Sequence, residues 1–116
     1  MKDYASMSDF EINKAVAVAT GHYHDECDIA KIGSSLVGVE WDDDTGYATK
    51  AFDFCNNPAD AWPIITENKI SIYAMSETDA RGKWGAEAFY PSEAYHFNDN
   101  PLRAAMIVFL MMKEGE

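Results

Sequence analysis

A group of possible metal ligands lies early in the chain. His22, His24 and Cys27 supply two imidazoles and one thiolate, with carboxylates between and after them. Imidazole and thiolate are ligands that zinc prefers in proteins. Their spacing matches no established zinc pattern and no second ligand pair follows elsewhere, so a solvated loop is the simpler interpretation. The sequence thus marks a metal site here as the weaker of two candidate sites.

The second candidate site is built around Arg103, the single charged residue in the apolar stretch 101–112. A cation in the first turn of a helix is poorly placed, because the helix dipole favours anions there. The simpler expectation is that a carboxylate such as Asp60 pairs with Arg103, since buried charges are usually paired. The alternative is that Arg103, Asn57 and the free N–H groups of the helix start bind an anionic, nucleotide-like ligand, with Trp62 stacking on it.

No other group of residues indicates catalysis. The chain shows no Ser-His-Asp arrangement, no phosphate-binding loop and no supported Cys-His pair, so we expect a protein that is not an enzyme and uses no cofactor. An aromatic cleft could be lined by Trp41, Tyr47, Tyr73 and Trp84, but aromatic residues on strands are more typical of core. The acidic runs 25–28 and 42–44 could imitate DNA phosphate, although charge runs usually serve solvation.

Charge limits the partners of the chain. Its 116 residues include 20 acidic and 9 basic side chains, which gives a net charge of −11. This balance disfavours direct binding of DNA or RNA, which depends on Lys and Arg, and it disfavours anionic membranes. It permits a basic protein partner. Cys27 and Cys55 are too few for a disulfide framework and are expected to be free thiols in a reducing cytoplasm.

Capping signals and periodicity predict the elements that position these residues. Ser8 and Glu11 form a capping-box pattern ahead of a helix at 9–20. Asn100 and Pro101 begin an apolar helix at 101–113, which is too short for a bilayer and therefore must be buried in a core. Between them the pattern predicts a hairpin over 36–54, a turn at 58–61 and a short helix at about 62–68. It then predicts a second hairpin, formed by 70–75 and 84–89, and a loop over 90–99.

This order of elements predicts a single α+β domain over residues 1–116. Strands that are joined by short loops form antiparallel sheets, and an apolar helix must cover one face of such a sheet. We therefore expect a small antiparallel sheet of about four strands that packs against the N- and C-terminal helices, with a short middle helix.

Three segments together resemble the NinX-like phage proteins, a small family from the nin region of lambdoid bacteriophages. These segments are Ser8–Lys14, Asn57–Ile65 followed by Glu67–Ser71, and Asn100–Met106. The resemblance implies a phage or prophage origin and a place in the cytoplasm of the bacterial host. The family has no established activity, so the resemblance implies no reaction. Together with the acidic charge, it favours an accessory protein that binds a host or phage protein.

Overall fold

The computed structural model describes residues 3–90 and 93–114. Six strands and three α-helices are present in this part of the chain, together with two short 3₁₀ turns. The chain divides into two compact units, Met1–Asp53 and Phe54–Glu116. The predicted α+β class is confirmed. The strands form two antiparallel three-stranded sheets, one in each unit, where a single sheet of about four strands was expected.

The first unit begins with helix α1, Asp9–Ala19. The predicted capping box is confirmed, because Ser8 Oγ accepts the backbone N–H of Glu11 at 3.1 Å and Glu11 Oε1 accepts that of Ser8 at 3.0 Å. Helix α1 packs on an antiparallel sheet in the order β1-β2-β3. Its strands are β1 (Asp28–Ile29), β2 (Val37–Trp41) and β3 (Ala48–Phe52).

The acidic run 42–44 has a structural role in the turn between β2 and β3. Asp42 Oδ1 accepts the backbone N–H groups of Asp44 at 2.7 Å and Thr45 at 3.2 Å. Gly46 has a φ of +75°, a conformation that suits glycine. This Asx-type turn closes the predicted hairpin, as short acidic turns commonly do.

The second unit holds the other two helices and the second sheet. Helix α2 spans Pro58–Glu67, and helix α3 spans Pro101–Glu114. The sheet order is β4-β5-β6, and α3 packs on the sheet and on α2. The strands are β4 (Ser71–Ala74), β5 (Trp84–Ala88) and β6 (Ala94–Asn98). The expectation of a buried final helix is confirmed, since every residue from Arg103 to Leu110 is buried.

Helix α2 corrects the predicted turn at 58–61, because the helix already begins at Pro58. Asn57 accepts the N–H of Ala59 at 3.0 Å, which caps the helix well before Pro63. Pro63 removes one backbone donor from the helix. The burial of Ala61, Ile64 and Ile65 on one side of the helix outweighs that loss.

The backbone at the end of β6 passes very close to Gly82, which lies just before β5. It has a φ of +143°, and an added Cβ would lie 2.7 Å from the backbone N of Asn98. Gly82→Ala should therefore lower the free energy of unfolding by about 2–4 kcal/mol in a urea titration. Gly46→Ala is the matched control: its Cβ would meet nothing within 4 Å, so only strain of about 1–2 kcal/mol is expected. Equal costs for the two variants would contradict the packing described.

Candidate functional site

The starts of helices α2 and α3 meet in one hydrogen-bonded cluster around Asn100. Its Oδ1 accepts the N–H of Leu102 at 2.9 Å and that of Arg103 at 3.2 Å, so the predicted cap of α3 is confirmed. Its Nδ2 donates to the Cys55 carbonyl at 2.8 Å and to Asn56 Oδ1 at 3.0 Å. Since Asn56 directly precedes the cap of α2, one side chain joins the N-termini of both helices. The positive ends of two helix dipoles therefore lie close together.

Arg103 lies in the first turn of α3 and is 9% exposed. Its positive charge acts on His96 of β6, so the two side chains are neighbours. Burial lowers the pKa of His96 below its ordinary value, and the charge of Arg103 lowers it further. Among the described residues, His96 Nε2 is buried without a hydrogen-bond partner. The site thus combines a buried guanidinium with an imidazole that is kept neutral.

Trp62 and Asp60 both belong to α2, and both are more exposed to solvent than Arg103. Trp62 is 61% exposed and follows the buried Ala61, whereas Asp60 lies in the first turn and is partly buried. An exposed indole is free to contact a partner or a ligand. The binding roles assigned to Asn57, Asp60, Trp62 and Arg103 stay predictions, although Asn57 has an observed structural role as the cap of α2.

The residues of the predicted metal site lie in different surroundings. Cys27 is buried, and burial raises the pKa of its thiol, which opposes the thiolate that a metal requires. The His22 ring lies 5.8 Å from that of Phe52, and His24 Nδ1 lies 3.5 Å from Asp25 Oδ1 on the surface. Within residues 3–90 and 93–114, no three His, Cys, Asp or Glu side chains are grouped to hold a metal. The metal interpretation stays a prediction without geometric support.

The structure also contains a buried polar network that the sequence analysis did not identify. Asn13 of α1 is fully buried and donates to the Ser35 carbonyl at 2.8 Å and to Asp53 Oδ1 at 2.9 Å. Ser35 Oγ donates to the other carboxylate oxygen of Asp53 at 2.8 Å. The signal in the sequence was an amide directly after Ile12, at the edge of the apolar stripe of α1. This network joins the helix, the segment before β2 and the end of β3.

Replacing Asn100 separates its two roles. Asn100→Ala removes the cap of α3 and the bonds to Cys55 and Asn56, so we expect a loss of about 2–4 kcal/mol. Asn100→Ser keeps a capping oxygen and loses the bonds from Nδ2, so about half of that cost is expected. Chemical denaturation of both variants measures the difference. A serine variant as unstable as the alanine variant would show that the cap contributes little.

The described residues contain no helix long and apolar enough to span a membrane. A search of the curated proteins gives no match. A solved crystal structure of a phage protein from Bacillus cereus ATCC 14579 is similar in fold, with a TM-score of 0.63. Its sequence identity is 17%, and the match covers 98% of this chain and 93% of that one.

The sequence profile of the family described as "Bacteriophage P22, NinX" matches residues 3–113. This match covers nearly the whole chain and includes residues of both units. It therefore extends well beyond the three segments that resemble the family. The chain therefore belongs to the phage P22 NinX family.

Proposed function

We propose that the chain is a non-enzymatic phage accessory protein that acts in the host cytoplasm by binding a host or phage protein. The observation that carries this proposal is the exposure of large apolar side chains. Ile32 is 93% exposed at a turn closed by a bond from the Ser34 N–H to the Lys31 carbonyl. Six of the other exposed side chains are aromatic: Tyr23, Tyr47, Trp62, Phe89, Tyr90 and Tyr95.

Exposed aromatic residues support a protein partner more than any other class of partner. Trp and Tyr are enriched among the residues that contribute most to protein interfaces, because they bury a large area at low entropic cost. A single exposed apolar residue is normal on a protein surface, so the support comes from the whole set of exposed aromatic side chains. The net charge of −11 disfavours nucleic acids and anionic membranes, and it favours a partner that carries basic side chains.

Affinity capture from infected host cells tests this proposal. The tagged full chain is expressed during infection, cross-linked, purified and compared with a set of variants that each replace one exposed aromatic residue by alanine. We expect a reproducible partner whose recovery falls at least tenfold in one or more variants. The absence of a reproducible partner in infected and in uninfected cells would refute the proposal.

A second candidate function is the binding of a small anionic, nucleotide-like ligand at the starts of α2 and α3. The observation that favours it is the Asn100 cluster, which brings two helix N-termini together beside Arg103. Asp60 in the first turn of α2 opposes it, because a carboxylate there repels an anion. Trp62 would provide the stacking surface.

Ligand-dependent stabilisation tests this second candidate. A nucleotide present at about 100 times its Kd should stabilise the fold by about 2.7 kcal/mol and raise Tm accordingly. Arg103→Gln should remove this increase, whereas Lys50→Gln in the first unit should keep it. An unchanged Tm and unchanged Trp fluorescence across a panel of nucleotides and inorganic phosphate would exclude the idea.

A further inference from the structure

The second sheet has one face that carries Ala86 and Ala88 of β5 and one aromatic face. Ala86 and Ala88 are fully buried, and α3 packs on this sheet. Side chains alternate along a strand, so the residues between them project from the opposite side. The strand register then places two rows on that side: Ser71, Glu87 and Tyr95, and Tyr73, Gly85 and Phe97. We call this side the aromatic face.

The aromatic face already holds one guanidinium group. The Cζ atom of Arg81 lies 4.6 Å from the centroid of the Phe97 ring. Asp79 fixes that group with two bonds, Nε to Oδ1 at 3.0 Å and Nη2 to Oδ2 at 2.8 Å. These bonds to Arg81 lower the pKa of Asp79 to about 2, so the carboxylate is charged at neutral pH. A ring and a carboxylate thus hold an arginine, a combination of cation–π contact and charge-assisted hydrogen bonding.

The next position along the face repeats this combination and is open to solvent. The Tyr95 ring lies 5.8 Å from the Phe97 ring, and Tyr95 is paired with Glu87 across the strands. Directly paired side chains on one face are near enough to contact the same group. Tyr95 is 54% exposed, and Phe89, which directly follows β5, is 67% exposed. The Tyr95 ring therefore remains accessible to a partner, and Glu87 beside it is half-buried.

Neighbouring residues fix the geometry of this position. The Tyr73 ring lies over Gly85, where an added Cβ would clash with the ring. Burial raises the pKa of the Tyr73 hydroxyl, and the nearby Glu87 carboxylate raises it further, so the two side chains lie on the same part of the face. Glu93 is exposed just before β6, two residues from Tyr95, and adds a second carboxylate to this part of the chain. Together with the net charge of −11, these carboxylates favour a cationic group over a neutral or anionic one.

We propose that Tyr95, Glu87 and Phe89 bind an arginine-bearing extended segment of the partner protein. The guanidinium stacks on Tyr95 as that of Arg81 stacks on Phe97, and its N–H groups pair with Glu87. Arginine suits this position better than lysine, because its planar group stacks on a ring and bonds to a carboxylate at the same time. This inference rests on the proposed function, because it names the surface and the chemistry through which the partner is bound.

Titration of the full chain with synthetic peptides tests the inference directly. The probe is an extended peptide of alternating Gly and Arg, compared with peptides of the same length that carry Lys or Gln instead. Amide chemical shifts locate the site, and the Kd is fitted from them. We expect saturable shifts around Glu87 and Tyr95 with the Arg peptide, and at least tenfold weaker binding of the Gln peptide. Equal binding of the Arg and Gln peptides would overturn the inference.

Matched variants separate a specific site from diffuse attraction to an acidic protein. Tyr95→Ala should weaken the Arg peptide at least tenfold and Glu87→Gln at least fivefold, while Tyr95→Phe keeps the ring and should change Kd less than threefold. Tyr47→Ala and Asp43→Asn remove an exposed ring and a carboxylate from the first unit and should change Kd less than twofold. Equal weakening by Tyr95→Ala and Tyr47→Ala would overturn the inference.

The same variants distinguish failure of this inference from failure of the proposed function. In capture from infected cells, a partner that the wild type binds should be lost in Tyr95→Ala and kept in Tyr95→Phe. A partner that the wild type and Tyr95→Ala recover equally would leave the proposed function standing and refute this surface. Failure of the wild type to recover any partner would refute the proposed function itself.

Discussion

Phe109→Asp is expected to leave the second unit without a stable fold. Phe109 lies in the centre of α3 and is 2% exposed. The Nζ atom of Lys113 lies 5.4 Å from the centroid of its ring. Removing a buried Phe side chain costs about 3–5 kcal/mol, and burying a carboxylate adds several kcal/mol. Whole domains are stable by only about 5–15 kcal/mol. The sum is enough to unfold the unit.

Far-UV circular dichroism during heating, together with amide shift dispersion, measures this effect. The control is Phe89→Asp, the same substitution at a side chain that is 67% exposed in the same unit, for which a change within about 0.5 kcal/mol is expected. A Phe109→Asp variant that melts cooperatively at the wild-type temperature would show that α3 is not the core of its unit.

The second large effect is expected at Asn13, whose amide lies fully buried in the first unit. Asn13→Ala removes the donor to the Ser35 carbonyl and to the Asp53 carboxylate, leaving two acceptors with fewer bonds. Unsatisfied buried groups cost about 1–3 kcal/mol each, and more when one is charged. We therefore expect a loss of about 3–5 kcal/mol, measured by urea denaturation.

A double-mutant cycle with Asp53→Ala shows whether the stabilisation belongs to the pair. Residues of one hydrogen-bonded network typically couple by about 0.5–3 kcal/mol. The combined variant should therefore be more stable than the sum of the single losses predicts. Additive losses would mean that the two residues act independently. Lys14→Ala, the next residue of α1, serves as a control and should change stability by about 0.5 kcal/mol or less.

Helix positions were largely predictable because local chemistry determines them. Ser8 and Asn100 have side chains that accept orphan backbone donors, and both cap helices in the structure. The predicted start of α2 is wrong, because Pro63 disfavours helical geometry at the residue before it and the local pattern therefore indicates a helix that begins only there. The cap at Asn57 and the buried residues on either side of Pro63 maintain the helix through it. Tertiary burial overrides local preference at such a position.

Strand β6 was predicted as part of a loop because its pattern is not apolar on the side that faces α3. His96 and Asn98 occupy that side, although Ala94 is buried beside them. Alternation of apolar residues therefore gives a weak signal there. The outer side, with Tyr95 and Phe97, does show the aromatic character of a strand. The missing strand also concealed the effect of the Arg103 charge on His96, which depends on the fold.

The candidate sites illustrate the same limit. Arg103 could be singled out from sequence because a lone charge in an apolar helix needs a partner. Its neighbour His96 comes from a strand, and the Asn100 bonds to Cys55 and Asn56 join residues far apart in the chain. Such contacts follow from tertiary packing rather than from spacing. The Asn13 network was missed for this reason, since Asp53 lies 40 residues away.

Hydrogen–deuterium exchange of the full chain, with and without the captured partner, tests protein binding most directly. The account predicts that the partner slows exchange in segments that carry exposed aromatic residues, above all around Glu87 and Tyr95. Exchange that is identical with and without the partner throughout the chain would contradict the account.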